Sequence, residues 1–366
     1  MSQEATSTAD VPLMGTVLAV QANYYQVRLN PSLLAPLSEK GKALRSSPLL
    51  LCTRRARLKK LGQQVMVGDR VEIVEPDWAG GRGAIASVLP RKSQLDRPPV
   101  ANAEQILLVF ALEEPPLDPY QLSRFLVKAE STGLDVRLCL NKSDLLTIEQ
   151  QQQWHNRLEQ WGYQPVFVSV RQGNGISEVR NLLKLRISAM AGPSGVGKSS
   201  LINALVPTVN LRTSEVSGKL SRGRHTTRHV ELFTLPDGGL LADTPGFNQP
   251  DLNYHPHELV NFFPEARQRL TQQTCQFSDC LHRDEPNCAV RGDWERYEHY
   301  LAFLEDAIAH QEQIDQQADP ESSLKLKTKR GRRQYEPKLE TKYRRHSRRT
   351  QHQALQELYQ EADELQ

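Results

Sequence analysis

The chain has 366 residues, 38% of them hydrophobic and 24% charged, which is ordinary globular composition with room for two or three domains. The polar N-terminus MSQEATSTAD has no apolar core to act as a secretory signal, and no run approaches the length of a membrane span, so a cytoplasmic protein with no membrane partner is expected. The net charge is only +3, yet between Ser322 and Thr350 twelve Lys/Arg stand against two Glu, so the basic excess belongs to the tail. Such a run is either a solubilising tail or an arm that meets nucleic acid.

Residues 1–12 are expected to be disordered. Over 13–92, the β-rich runs GTVLAVQANYYQVRL, LLLCTRRARLKK, QQVMVGDRVEIVEP and GRGAIASVLP are separated by Gly, Pro and polar turns, which predicts an OB-like β-barrel. The basic strand TRRARLKK and the pair Tyr24–Tyr25 suit phosphate contact and base stacking on RNA. A barrel that only scaffolds, with its tyrosines in the core, is the competing reading.

Over 93–250 apolar runs alternate with amphipathic ones. AEQILLVFAL, DVRLCLNKSD and QPVFVSV read as strands; DPYQLSRFLVKAESTG, TIEQQQQWHNRLEQWGY and GISEVRNLL read as helices. LRISAMAGPSGVGKSSLINALV then gives strand, Gly-rich loop and helix. The alternation predicts an α/β domain with a parallel sheet. Residues 251–315 read as mainly helical around a Cys/His cluster, and 316–366 as a basic, disordered tail.

GPSGVGKS fits G-x-x-x-x-G-K-[ST] in the required place, after a strand and opening a helix. Gly192, Pro193, Ser194, Gly195, Val196 and Gly197 would wrap phosphates with backbone N–H groups, Lys198 would reach the β/γ-phosphates, Ser199 would ligate Mg²⁺, and Ser200 would complete the GTP-binding set. NKSD, Asn141 to Asp144, is a weak motif alone, but it follows a buried strand at the sheet edge where ligands bind. An ionised Asp144 accepts from guanine N1–H and the 2-amino group, whereas adenine would leave the carboxylate unpaired. Asn141 would brace neighbouring loops, Lys142 would lie along the base beside Ser143, and Ser169, Val170 and Arg171 would cap it.

Downstream, LLADTPGF ends a strand at Asp243, a ligand for the Mg²⁺ shell, and offers the Gly246 N–H to a γ-phosphate. The intervening SGKLSRGRHTTRHV is polar and positioned as a first switch, with a threonine for Mg²⁺. Phe247 stands where many GTPases carry a water-orienting glutamine, which leaves His225 as the nearest polar candidate for that task, or as a surface histidine with none. The base motif thus precedes the phosphate loop by about fifty residues. That is the usual GTPase order cut and rejoined elsewhere, a circular permutation that costs little where termini lie close together.

Five cysteines form no even framework; Cys275, Cys280, His282 and Cys288 follow C-x₄-C-x-H-x₅-C, a closed shell for one structural Zn²⁺. Free cysteines that happen to cluster are the alternative.

These residues together resemble the circularly permuted GTPases of bacterial small-subunit ribosome biogenesis, the RsgA or YjeQ family. The resemblance runs from about Gly15 to Gln311 and rests on Asn141 to Asp144, Gly192 to Ser200 and the Cys/His set. It implies a monomeric GTPase that binds the small ribosomal subunit and 16S-type rRNA, acts late in subunit assembly, hydrolyses GTP to GDP when docked, and has low activity alone. It assigns the hydrolytic histidine to His225 and the switch threonines to Thr226 and Thr227 in GRHTT. Ser169-Val170-Arg171 departs from the Ser-Ala-Lys of many members, and the basic tail lies outside the resemblance. A GTP-controlled RNA-binding protein with a non-ribosomal target is the alternative function. A kinase or transferase fits less well, since NKSD selects guanine and no acceptor-substrate motif is present.

Overall fold

The computed structural model describes residues 13–30, 49–96, 99–207, 209, 230–243, 254–316, 324–329 and 332–337. The chain divides into two compact units, 1–307 and 308–366.

In the first unit, β1 (Leu13–Gln21), β2 (Tyr24–Leu29), β3 (Leu49–Arg54), β4 (Arg70–Asp77) and β5 (Arg82–Val88) close a barrel in the order β1-β2-β3-β5-β4. Strand alternation sends Val17, Val27, Leu29, Leu50, Ile73 and Ile85 inward, where each buried branched side chain contributes about 1.5–3 kcal/mol. Closure requires Gly15, because a Cβ there would meet Val27 Cγ1 at 2.5 Å and the Arg28 carbonyl at 2.8 Å. Two expectations are corrected. The strand ends at Arg54, and Ala56–Lys60 is a short helix, α1, with Leu58 turned inward, because Ala-Arg-Leu-Lys-Lys contains good helix formers and no β-branched residue. Nor do the two tyrosines act as a pair: Tyr25 is 3% exposed in the barrel core while Tyr24, its neighbour on the other face, is 53% exposed.

A short ladder of β6 (Gln94–Asp96) and β7 (Pro99–Ala101) leads into a six-stranded sheet. Its strands are β8 (Gln105–Ala111), β9 (Asp135–Asn141), β10 (Pro165–Phe167), β11 (Ile187–Ala191), β12 (Leu232–Thr234) and β13 (Leu240–Asp243), ordered β10-β9-β8-β11-β13-β12. All pairs are parallel except β12 with β13. Every residue of β8 is buried, as a central parallel strand requires. Ile106, Leu108 and Phe110 face α2 (Pro119–Glu130) and α3 (Ile148–Gln160), while Leu107, Val109 and Ala111 face α4 (Ile176–Leu183) and α5 (Lys198–Leu205). The chain runs outward through β8, β9 and β10, then returns to β11 beside β8 and runs out the other way. This is a doubly wound sheet entered in its middle, with all strands parallel to one another up to β13.

The helical region comprises a 3₁₀ segment (Pro256–Phe262), α6 (Pro264–Gln272) and α7 (Tyr297–Gln316). It packs on α2 and α3. Arg296, fully buried, is paired with Glu265 and lies 4.8 Å from the ring centres of both Trp161 and Phe263. Burial is the largest single influence and disfavours its charge, but the hydrogen bond and charge of Glu265, together with Tyr163, outweigh it and raise the guanidinium pKa. Beside it, Trp161 Nε1 donates to Glu295 at 2.8 Å, and Arg267 and Tyr163 both reach Glu130, at 2.8 and 3.0 Å.

In the second unit, one short hairpin of the tail is described. Leu324–Lys329 (β14) and Arg332–Pro337 (β15) form an antiparallel ladder, the result of a Leu/Lys alternation that strand geometry accepts and that a count of charges does not weigh. The remainder of the tail, like residues 1–12, lies outside the described residues. No helix among the described residues is long and apolar enough to cross a membrane.

Candidate nucleotide site and metal centre

Everything the sequence marks for nucleotide chemistry, where described, sits at the carboxyl edge of the parallel strands. β9 delivers Asn141, after which Lys142 turns through φ 60° and Ser143–Leu145 forms a single 3₁₀ turn carrying half-buried Asp144. That turn is held from below. Thr147 and Gln150 make a capping box at the start of α3, and Gln151 Nε2 donates to the Ser143 carbonyl at 2.8 Å.

Asn141 is 3% exposed and serves three loops. Its Nδ2 donates to the Val196 carbonyl at 2.9 Å, its Oδ1 accepts from the Val170 N–H at 3.5 Å, and its backbone begins the base motif. The capping loop is ordered by buried Ser169, whose Oγ accepts from Gln172 N–H at 3.1 Å and whose own N–H donates to Asn174 at 3.0 Å. Arg171 is exposed at its tip.

The phosphate loop leaves β11 at Gly192 (φ 146°), where a Cβ would collide with the Val109 carbonyl of the adjacent strand. At Gly197 (φ 93°) a Cβ would collide with the Asn141 amide. Glycine at these two places is therefore a packing requirement. Pro193 and Val196 are buried, Ser194 and Gly195 exposed, and Ser199 and Ser200 half-buried in the first turn of α5. Lys198 Nζ donates to the Gly192 carbonyl at 2.9 Å. Burial lowers the Lys198 pKa, and the charge of Asp243, at the end of β13, opposes that shift. Lys198, opening α5 after β11, and Asp243, ending the neighbouring β13, are thus close enough for their charges to interact.

Between these loops lies a cavity of about 320 Å³ whose lining includes Asn141, Lys142, Asp144, Val170, Arg171 and Gly197. Glu114 lines it too, and sequence reasoning overlooked this residue. Its signal was available: EEPP follows β8 after one residue, at the carboxyl edge where open α/β sheets bind ligands. His225, Thr226, Thr227, Gly246 and Phe247 lie outside the described residues.

The Cys/His set lies in turns between α6 and α7, with the four candidate ligand atoms within 4.8 Å of one another. His282 Nδ1 stands 3.5, 3.5 and 3.3 Å from the Sγ atoms of Cys275, Cys280 and Cys288. A tetrahedral Zn²⁺ with ordinary bond lengths has an S···N edge of about 3.5 Å. Backbone N–H groups of Ala289 and Arg291 point at Cys275 and Cys288 Sγ, at 3.4 and 3.3 Å, and stabilise negative charge on sulfur. Burial first, and the neighbouring thiols after it, push the Cys280 thiol up to about 12. A divalent cation among these groups reverses that preference, so the donor set fits one structural Zn²⁺.

The family profile described as RsgA GTPase matches residues 88–253. The small ribosomal subunit biogenesis GTPase RsgA of Trichormus variabilis is 68% identical over 362 residues, covering 96% of this chain and 98% of that protein. The chain belongs to the RsgA family of GTPases. Among solved structures, YjeQ from Thermotoga maritima is 33% identical with a TM-score of 0.66, covering 81% of this chain and 99% of that one. YloQ, described as a circularly permuted GTPase, is 26% identical with a TM-score of 0.65, covering 84% and 99%. The sheet entered at β8 and completed at β12 and β13 is the same permutation in this RsgA chain, with the barrel before it and the Cys/His region after it.

Proposed function

We propose that this RsgA-family protein is a cytoplasmic, monomeric GTPase that binds the small ribosomal subunit through its 16S-type rRNA, hydrolyses GTP to GDP when docked late in assembly, and then leaves. The nucleotide reading is carried by the Asn141 side chain, which joins the base motif, the capping loop and the phosphate loop at one cavity despite their permuted order. The ribosomal reading is supported by the name and 68% identity of the Trichormus variabilis relative.

In this reading guanine enters the cavity, Asp144 accepts from N1–H and the 2-amino group, Lys142 lies along the ring, and the Ser169-Val170-Arg171 backbone closes over it. The phosphates take the N–H groups from Gly192 to Ser200, and Lys198 exchanges the Gly192 carbonyl for phosphate oxygen. Ser199, Asp243 and one of Thr226 and Thr227 would hold Mg²⁺, which supplies charge neutralisation across the β- and γ-phosphates. Gly246 N–H meets the γ-phosphate. Since Phe247 cannot orient water, His225 does so, and His225→Ala is expected to lower subunit-stimulated turnover while sparing nucleotide affinity. The barrel and basic tail contact rRNA, with exposed Tyr24 as a stacking platform and the basic residues of α1 meeting phosphates. The Cys/His region, stabilised by its Zn²⁺, supplies a second contact.

Sedimentation with purified small subunits tests the docking. Co-sedimentation is expected with a non-hydrolysable GTP analogue and release with GDP; equal recovery on unrelated structured RNA would instead favour a non-ribosomal RNA partner.

A further inference from the structure

Glu114 sits in the loop between β8 and α2, and three observations place that loop over a particular part of the nucleotide site. Lys142 Nζ, from the base motif, donates to the Glu114 carbonyl. The next residue, Pro115, brings its Cδ to 3.8 Å of where a Cβ on Gly195 would stand, so the loop also touches the phosphate loop. Glu114 itself lines the same cavity as Asp144 of the base motif and Gly197 of the phosphate loop.

In a nucleotide the sugar is what lies between base and phosphates. A loop anchored to the base motif on one side and the phosphate loop on the other therefore stands beside the ribose. The backbone adds a further indication. Glu114 has φ 53° and Lys142 φ 60°, two non-glycine residues in the left-handed region on two different loops, joined by a hydrogen bond. Such conformations cost about 1 kcal/mol or more each; six more occur elsewhere among the described residues, but these two are joined to each other at the nucleotide cavity, the kind of place where such strain clusters. Glycine would relieve the strain at 114, but it would remove the carboxylate.

We infer that Glu114 is the ribose-binding residue of this site: its carbonyl fixes Lys142 and its carboxylate accepts hydrogen bonds from the 2′- and 3′-hydroxyls. A carboxylate is the side chain suited to that task, being acceptor-only when ionised and facing two donors. The inference rests on the nucleotide reading given above and adds to it a determinant for the sugar, which neither NKSD nor the phosphate loop supplies.

The test compares GDP with 2′,3′-dideoxy-GDP by calorimetry on the full-length protein. Wild type is expected to favour GDP on the order of tenfold, the value of a hydrogen bond to a charged acceptor. Glu114→Ala should weaken GDP by that factor, leave dideoxy-GDP unchanged, and so abolish the discrimination. Glu114→Gly, which relaxes the backbone and keeps the carbonyl, should do the same, tying the effect to the carboxylate. Equal weakening of both nucleotides, or an unchanged ratio, would overturn the inference and leave the guanine and phosphate assignments standing. Absence of GDP binding in wild type would overturn both.

Discussion

The Asn141 side-chain amide donates to the carbonyl of Val196 at 2.9 Å, although the two residues are 55 positions apart and belong to motifs in reversed order. The bond is buried, and its loss would leave the Val196 carbonyl without that partner and the Val170 N–H without its acceptor.

Asn141→Ala should therefore weaken GDP and GTP together by roughly 1–3 kcal/mol, or about five- to 150-fold, because it loosens both halves of the cavity. Calorimetric titration checks the affinity and far-ultraviolet circular dichroism the fold. Unchanged affinity in a folded variant would mean that the bridge does not organise the site.

Asp144→Asn exchanges two accepted hydrogen bonds for a mismatched amide. Guanine affinity is expected to fall about a hundredfold or more, while xanthosine nucleotides, which offer an acceptor at C2, gain. Competition against a fluorescent guanine nucleotide measures both, and retained guanine preference would remove Asp144 from the base contact.

The metal centre yields a stoichiometric expectation. Purified protein should carry one Zn²⁺ per chain, and Cys280→Ser or chelation should lower the thermal midpoint, since metal binding at such a centre is part of folding. Elemental analysis and melting curves decide it. A metal-free protein whose melting is indifferent to chelators would return the four residues to a chance cluster.

At the joint between helical region and sheet, Arg296→Ala strands Glu265 near a buried site and should cost about 3–5 kcal/mol. The double variant Arg296→Met, Glu265→Gln removes both charges and should recover most of that loss in denaturant unfolding. Simple additivity would show that the pair is not coupled.

Much of this site was legible from residue order alone. The strand-loop-helix around Gly192 to Ser200 has strict local requirements, and the Cys/His spacing has few other uses, so both were readable without contacts. The barrel and alternating sheet followed from period-two and buried patterns. What was not readable depended on the third dimension. Nothing in the dipeptide Tyr24–Tyr25 says which ring turns inward; that is settled by strand register, which buries Tyr25 against Cys52 across the ladder. The end of β3 at Arg54 was hidden because a basic run has no hydrophobic period to mark where strand becomes helix. Glu114 escaped because its importance comes from two contacts, with Lys142 and beside Gly195, that sequence distance conceals. Arg296 escaped likewise: a lone arginine reads as surface until Glu265 and the rings of Trp161 and Phe263 are seen around it.

The most direct measurement is steady-state GTP turnover with and without purified small ribosomal subunits. A site lacking a water-orienting glutamine should turn over slowly alone and accelerate about tenfold or more with small subunits, but not with large subunits or unrelated RNA. Turnover that is indifferent to small subunits, or raised equally by any RNA, would contradict the account.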